Sequence, residues 1–358
     1  MTRSKSSDIR GFLLDQVARH PHDVLTLAAE HFNLTRQAVS RHLRQLVAEG
    51  VLEVTGATRN RQWRLRELED YTKVIDLRTK PAEDQIWRTE IRPRLQGIPE
   101  NVLAICAHGF SEIFNNAVAH SEGTECSVVV KRTGATVKLA VNDNGIGIFK
   151  KIQQALHLDD PRHAALELAK GKLTTDPSGH TGEGIFFTSR MFDQFSIGSH
   201  EFLFNHIQPN DDWLTTHQDH FEGTLVLMQI SLSSDRTVRQ TFDRFASGED
   251  NDYAFSRTHV PLSLAAYGDE QLVSRSQARR VLSRFERFKI VCLDFRGIDS
   301  IGQAFADEIF RVYRREHPET AIECFAANEQ VGRMISRALH TSTEDDSQQS
   351  LFEGSSEN

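Results

Sequence analysis

A chain of 358 residues has room for two or three domains, and 39% hydrophobic with 26% charged residues excludes a fibrous or wholly disordered protein. Its net charge of −8 is unevenly spread: residues 1–66 carry +5 and the rest −13, so only the amino-terminal end is expected to meet a polyanion. No apolar run reads as a transmembrane helix, Met1–Arg10 does not read as a secretory leader, and Cys106, Cys126, Cys292 and Cys324 lack metal or redox spacing. The expectation is a cytoplasmic protein with reduced core thiols and no membrane contact.

The first helix is expected over Asp8–Arg19, with Ile9, Phe12, Leu13 and Val17 inward, and a second over Asp23–His31. Asn33-Leu34 makes a turn and Thr35 is placed to cap a third helix, Thr35–Glu49, which Gly50 ends. That helix buries Ala38, Val39, Leu43, Leu46 and Val47 and turns out Arg36, Gln37, Ser40, Arg41 and Arg44. A strand Val51–Thr55, a turn and a return strand Arg61–Arg66 follow. Three helices, a basic hairpin and the stretch LTRQAVSRHLRQLVAEGVLE resemble the winged helix-turn-helix of bacterial MarR/ArsR-type regulators. The resemblance implies a DNA-binding domain over 1–67. Its third helix would enter the major groove with Arg36, Gln37, Ser40, Arg41 and Arg44, and Arg59, Arg61 and Arg64 of the wing would meet backbone or minor groove. One such domain covers a half-site, so a homodimer is expected on double-stranded DNA. A solvated helix face on a protein-docking domain would show the same residues.

Residues 68–99 read as a helical linker, with a helix signal over Ala82–Ile91 and breakers from Pro93 to Pro99. An apolar helix then spans about 101–120. Val102, Ile105, Cys106, Phe110, Ile113 and Ala117 form its buried face, and His108, Glu112, Asn116 and His120 recur every fourth residue as a polar row. A carboxylate and a carboxamide one turn apart suit a bound metal ion and an activated water. Cys126–Arg132 and Thr136–Val141 form a hairpin through Thr133-Gly134-Ala135, followed by Asp143-Asn144-Gly145-Ile146-Gly147. Phe149–Ser178 holds a helical stretch Ala155–Leu168 and a polar tail with Lys172. Gly179, Gly182 and Gly184 open a helix running to Met191. Further strands are expected over Asp193–Gly198, Glu201–His206 and Gly223–Ile230.

The helix with Glu112, Asn115 and Asn116, the Asp143-x-Gly145-x-Gly147 stretch and the Gly179…Gly184 stretch occur in the order of the N box and two glycine boxes of the GHKL ATP-binding family. The resemblance covers about 100–231. It implies the α/β-sandwich (Bergerat) fold, ATP and Mg²⁺ as ligands, and an ATP lid over 149–178. Glu112 would be the general base and Asn116 the Mg²⁺ ligand, with Asn115 and His120 secondary. Asp143 would accept from the adenine amino group, and Thr224 would help hold adenine. Gly145 and Gly147 would allow a close backbone approach, and the amides around Gly179, Gly182 and Gly184 would meet the phosphates, with Lys172 able to approach them. Taken alone, Asp143-Asn144-Gly145 is also an ordinary hairpin turn.

Residues 232–252 read as a polar linker. From 253 to 341, strands and helices alternate: Phe255–Leu264, Ser274–Phe288, Lys289–Phe295, Gln303–Tyr313, Ala321–Phe325 and Asn328–Ala338. LDFRGIDSIGQAFADEIFRVYRREHPE resembles a STAS-like domain, the small α/β fold of the anti-anti-sigma partners of serine kinases. Their acceptor serine directly precedes the glycine; Ile301 stands there and Ser300 one residue earlier, so Ser300 is either a possible phosphoacceptor or a cap for the next helix. Residues 342–358 read as a disordered acidic tail.

The expectation is thus a multidomain α+β chain. Its leading function is an ATP-responsive bacterial transcriptional regulator in which the ATP-binding domain controls the DNA-binding one, with Mg-dependent ATPase activity. The alternatives are a serine kinase or partner-switch protein acting on a STAS-domain or sigma-factor-related partner, and an ATPase clamp or stress effector whose winged helix only docks proteins.

Overall fold

The computed structural model describes residues 5–57, 60–173, 182–209, 211–246, 255–266 and 270–340. Arg59, Gly179 and the expected acidic tail lie outside the described residues. The chain is mixed α+β and forms two compact units. One holds Met1–Gly147, Thr188–His200 and His220–Val238; the other holds Ile148–Phe187, Glu201–Asp219 and Arg239–Asn358.

The first unit opens with α1 (Lys5–Gln16), α2 (Val24–His31) and α3 (Arg36–Ala48), then a hairpin of β1 (Leu52–Thr55) and β2 (Gln62–Leu65). Their spacing of apolar residues closes one core, in which Leu13, Val17, Val24, Ala28, Val39, Leu43, Leu46, Leu52 and Trp63 are buried. Thr35 caps α3: its hydroxyl accepts from the Ala38 N–H at 3.2 Å. A helical linker over 68–99 is only half right. β3 (Glu69–Asp76) pairs antiparallel with β4 (Glu125–Arg132), in register from Glu69↔Arg132 to Asp76↔Glu125. It is an edge strand, and its Glu, Asp, Thr and Lys residues hide the alternation that a half-buried strand shows. Glu90 holds it from the following segment, taking the Tyr71 hydroxyl and, at 2.6 Å, the Lys73 ammonium. Helical turns do follow, as α4 (Glu83–Ile86), a π-helical turn Trp87–Ile91 and a 3₁₀ turn Arg92–Leu95.

α5 (Glu100–His120) is, among the described residues, the one helix long and apolar enough to cross a bilayer by length and composition. Its buried face packs instead against β5 (Thr136–Asp143). A Cβ on Gly109 would lie 2.5 Å from the Phe192 ring, which shows how closely the helix is seated.

The chain then runs through α6 (Ile148–Leu156), α7 (His163–Lys170) and α8 (Gly184–Met191) to two long strands, β6 (Gln194–Ile207) and β7 (Asp211–Ser231). The sheet order is β3-β4-β5-β7-β6. The three strands expected here are two, because Gly198-Ser199-His200 reads as a break but continues β6 with His200 at φ 53°.

In the second unit the expected helix over 155–168 is two helices, parted by His157 at positive φ and the Asp159-Asp160-Pro161 turn. α7 packs on β8 (Arg257–Pro261) and is buried along its length. The expected linker over 232–252 contains α9 (Val238–Phe245), whose Phe242 packs at a tilt on Phe187 and whose Phe245 meets Phe186 edge to face. Then come α10 (Arg275–Leu282), capped by a Ser274–Gln277 capping box, β9 (Ile290–Asp294), α11 (Gln303–Asp307), a π-helical turn Glu308–Tyr313, α12 (Arg314–Glu316), β10 (Ala321–Phe325) and a helical run over 329–340. The three strands form a parallel sheet in the order β10-β9-β8.

A buried ionic group ties α7 to the end of α10. The fully buried Lys170 ammonium donates to Glu167 at 2.7 Å and to the carbonyls of Arg280 and Ser283 at 3.1 and 3.0 Å. Arg284 donates to the other Glu167 oxygen at 2.7 Å and to the Lys172 carbonyl at 2.9 Å. Glu167→Leu leaves two buried cations without their anion. It is expected to cost about 3–5 kcal/mol, read as a lower denaturant midpoint for the second unit; an unchanged midpoint would remove this group from the unit's stability.

Candidate functional site

The first unit brings most of the expected ATP-site residues to the carboxyl-terminal half of α5, the end of β5 and the stretch of β7 that pairs with that end. Glu112, Asn115 and Asn116 are half-buried on α5. His108 lies one turn before Glu112; burial pushes its imidazole down in pKa, against the pull of the Glu112 carboxylate. Asp143 is the last residue of β5 and sits across from Thr224 of β7, both buried. The Asp143 Oδ1 accepts from the Gly145 N–H at 2.9 Å and the Thr224 N–H at 3.3 Å. Burial pushes the carboxyl above its ordinary value, against the pull of the backbone N–H groups that bond it.

Glycine is needed where the backbones meet. A Cβ on Gly145 would lie 2.0 Å from the Ser121 carbonyl oxygen. One on Gly223, at φ +64°, would lie 2.0 Å from the Asp143 carbonyl oxygen. Gly147 completes the loop. Two residues that the motifs did not single out hold this loop to the end of α5. The Ser121 carbonyl accepts from the Ile146 N–H at 2.9 Å. The Asn144 carboxamide accepts from the N–H groups of Thr124 and Glu125 at 2.8 and 3.0 Å and donates to the Thr124 hydroxyl at 3.1 Å. Reading Asn144 as the middle of a turn hides that role.

Gly182 and Gly184 belong to the second unit, at and just before the start of α8. Lys172 is also there, and its ammonium donates to the Arg287 carbonyl at 2.8 Å beside the Phe288 ring. Among the described residues no group of three His, Cys, Asp or Glu side chains could hold a metal ion. Glu112 and Asn116 alone would leave a cation most of its ligands to come from phosphate and water, which is how Mg²⁺ is usually held.

A second candidate surface lies on α3 and the hairpin. Arg36, Gln37, Arg41 and Arg44 are exposed and Ser40 is half-buried; Arg61 and Arg64 are exposed on the hairpin. Among the described residues none of these arginines pairs with a carboxylate, whereas Arg10 on α1 pairs with Glu49 at 2.5 Å. The face is therefore a patch of uncompensated positive charge.

In the second unit, Asp294 ends β9. Burial alone would raise its carboxyl, but His259 and Arg296 beside it hold it down at about 2. The Arg296 guanidinium donates to it at 2.8 and 2.6 Å. Ser300, half-buried in the loop beyond, does not cap the next helix. Gly302 occupies the cap position of α11, and Ile301 bridges to Leu272.

Residues 277–331, from α10 to just past β10, match the family described as a STAS-like domain of unknown function (DUF4325). No curated protein matches the chain.

Gly223→Ala is expected to destabilise the first unit by about 1–3 kcal/mol and to displace Asp143. Urea unfolding checks this; a variant as stable as the wild type would mean that the β5–β7 ladder absorbs the added methyl group.

Proposed function

We propose that the chain is an ATP-responsive, DNA-binding regulator, in which a GHKL-type ATP-binding domain built on α5, β5 and β7 controls an amino-terminal winged helix. The observation that carries the nucleotide half is the buried Asp143, with Oδ1 occupied by two backbone N–H groups at a strand end packed on the helix of Glu112 and Asn116. In this reading Oδ2 accepts from the adenine amino group, and the hydrogen-bonding edge of the base selects adenine over guanine, whose carbonyl would face the carboxylate. Thr224 holds the same base, and Gly145 and Gly147 keep Cβ atoms out of its way. Asn116, with Asn115 beside it, would ligate Mg²⁺, which supplies charge neutralisation on the phosphates when bound. Glu112 would take the proton of a water attacking the terminal phosphorus. His108, one turn away, is held towards its neutral form by burial.

The charge pattern supports the DNA half. An exposed helix face with Arg36, Arg41 and Arg44 lacks internal carboxylate partners, and Arg61 and Arg64 extend it along the hairpin. Such a surface releases counterions on meeting duplex phosphates. Gln37 and Ser40 would reach base edges, and Arg59 would add to the wing. A second copy of the chain would supply the other half-site.

One observation favours a second reading, a serine kinase or partner switch. Ser300 is not the helix cap, so its hydroxyl is not committed to that role and remains a phosphoacceptor candidate in the STAS-like domain.

Asp143→Asn is expected to lose ATP binding by at least about 100-fold, since it removes an acceptor and presents a donor to the amino group. Glu112→Ala is expected to retain ATP but not turn it over. Following the γ-phosphate of labelled ATP separates the readings: release as phosphate supports the ATPase, transfer to protein supports the kinase, and equal ATP affinity in Asp143→Asn removes the adenine assignment. Arg41→Ala with Arg44→Ala is expected to weaken duplex binding and lower its salt slope by about two; an unchanged slope would move the surface elsewhere.

A further inference from the structure

The three-helix module is seated on one end of the β5–β7 ladder, and Asp143 lies at the other. Ala135, in the β4–β5 turn, is only 4% exposed and belongs to the module's own core cluster. Next to it, a Cβ on Gly134 would lie 2.0 Å from Val51 Cγ1 and 3.7 Å from Leu14 Cδ2. The carboxylate of Asp15 on α1 accepts from the hydroxyl of Ser233 at 3.0 Å and from that of Ser231 at 3.4 Å. The Leu232 N–H donates to the Ala135 carbonyl at 2.7 Å, so the two halves of the seat are bonded to each other. The module's last strand also passes within four residues into β3, whose first residue pairs with Arg132 of the same sheet end.

From that seat β5 and β7 run to the candidate site without a break in register, from Thr136↔Ser231 to Asp143↔Thr224. Eight residues of strand span roughly 25 Å. The residues that touch the module and those that would touch adenine thus stand at the two ends of one hydrogen-bonded ladder. A packed ladder with side chains at interior density does not absorb a shift at one end by compressing. A change in how Asp143 and Thr224 are held can tilt or slide the strands and so alter the seat.

We infer that this ladder is the route by which nucleotide occupancy reaches the DNA-binding module, with Gly134 and the Asp15–Ser233 contact as its far-end coupling. The inference rests on the nucleotide reading of the Asp143 site. It places the regulatory joint in a docked interface rather than in the covalent connection, since residues 66–68 alone would leave the module free to ignore the sheet.

The test is hydrogen exchange of the full chain with Mg²⁺ and ATP, followed in peptides covering 143–147 and 9–17. In the wild type, exchange is expected to slow at least about five-fold at 143–147 and to change by a similar factor in α1. Gly134→Leu drives a side chain into Val51 and should keep the response at 143–147 while abolishing it in α1. Asp15→Ala, which adds no bulk, should keep the first response and reduce the second, and serves if Gly134→Leu fails to fold. No slowing at 143–147 in the wild type would remove the nucleotide reading and the route with it. Slowing there with α1 unchanged, or an α1 response that survives both variants, would overturn the route and leave the nucleotide site standing.

Discussion

A carboxylate taken out of water must be met by donors, and at the end of β5 the donors for Asp143 are the backbone N–H groups of Gly145 and Thr224. Much of the first unit follows from that requirement. Thr224 donates from β7 because β5 and β7 pair in register. Gly223 is glycine because its neighbour's carbonyl occupies the space of a Cβ. Gly145 is glycine because the loop must turn back against Ser121 at the end of α5. The helix with Glu112 and Asn116 is fixed to the same loop through Ser121 and Asn144, so the charged and carboxamide groups and the buried aspartate share one frame.

The second unit is organised by a different constraint. Lys170 is wholly buried, and its charge is compatible with the interior only because Glu167 and two carbonyls surround it while Arg284 takes the other side of Glu167. Those bonds join α7 to the end of α10, inside the STAS-like match. The described residues of the segment that the GHKL resemblance assigns to the ATP lid belong to this unit, with α7 buried along its length. Lys172, which could approach phosphate or stand as a solvated lysine, donates to the Arg287 carbonyl beside the Phe288 ring of that unit.

Legibility in the sequence followed burial contrast. α1 to α3 could be read because each buries an apolar face, and Thr35 and Gly50 mark the ends of α3. β5 could be read to within two residues of Asp143. β3 could not, since an edge strand with charged residues on it lacks the two-residue alternation, and α9 could not, since its few buried residues sit in a polar stretch. The break read at Gly198 failed because a strand tolerates His200 at positive φ when its neighbours hold it. Of the candidate site, Glu112, Asn116 and Asp143 stand out as motif residues, whereas Ser121 and Asn144 do not, because their bonds depend on which backbone groups come within reach. Ser300 was read as a possible cap from its spacing, but Gly302 has that place.

In the function proposed, nucleotide at the Asp143 site changes how the amino-terminal module binds DNA. The direct measurement is the affinity of the full chain for duplexes selected from a randomised pool, with and without Mg²⁺ and ATP, beside Asp143→Asn. A change of at least about five-fold is expected in the wild type and none in the variant. Equal affinities with and without ATP in a wild type that binds both ligands would contradict it.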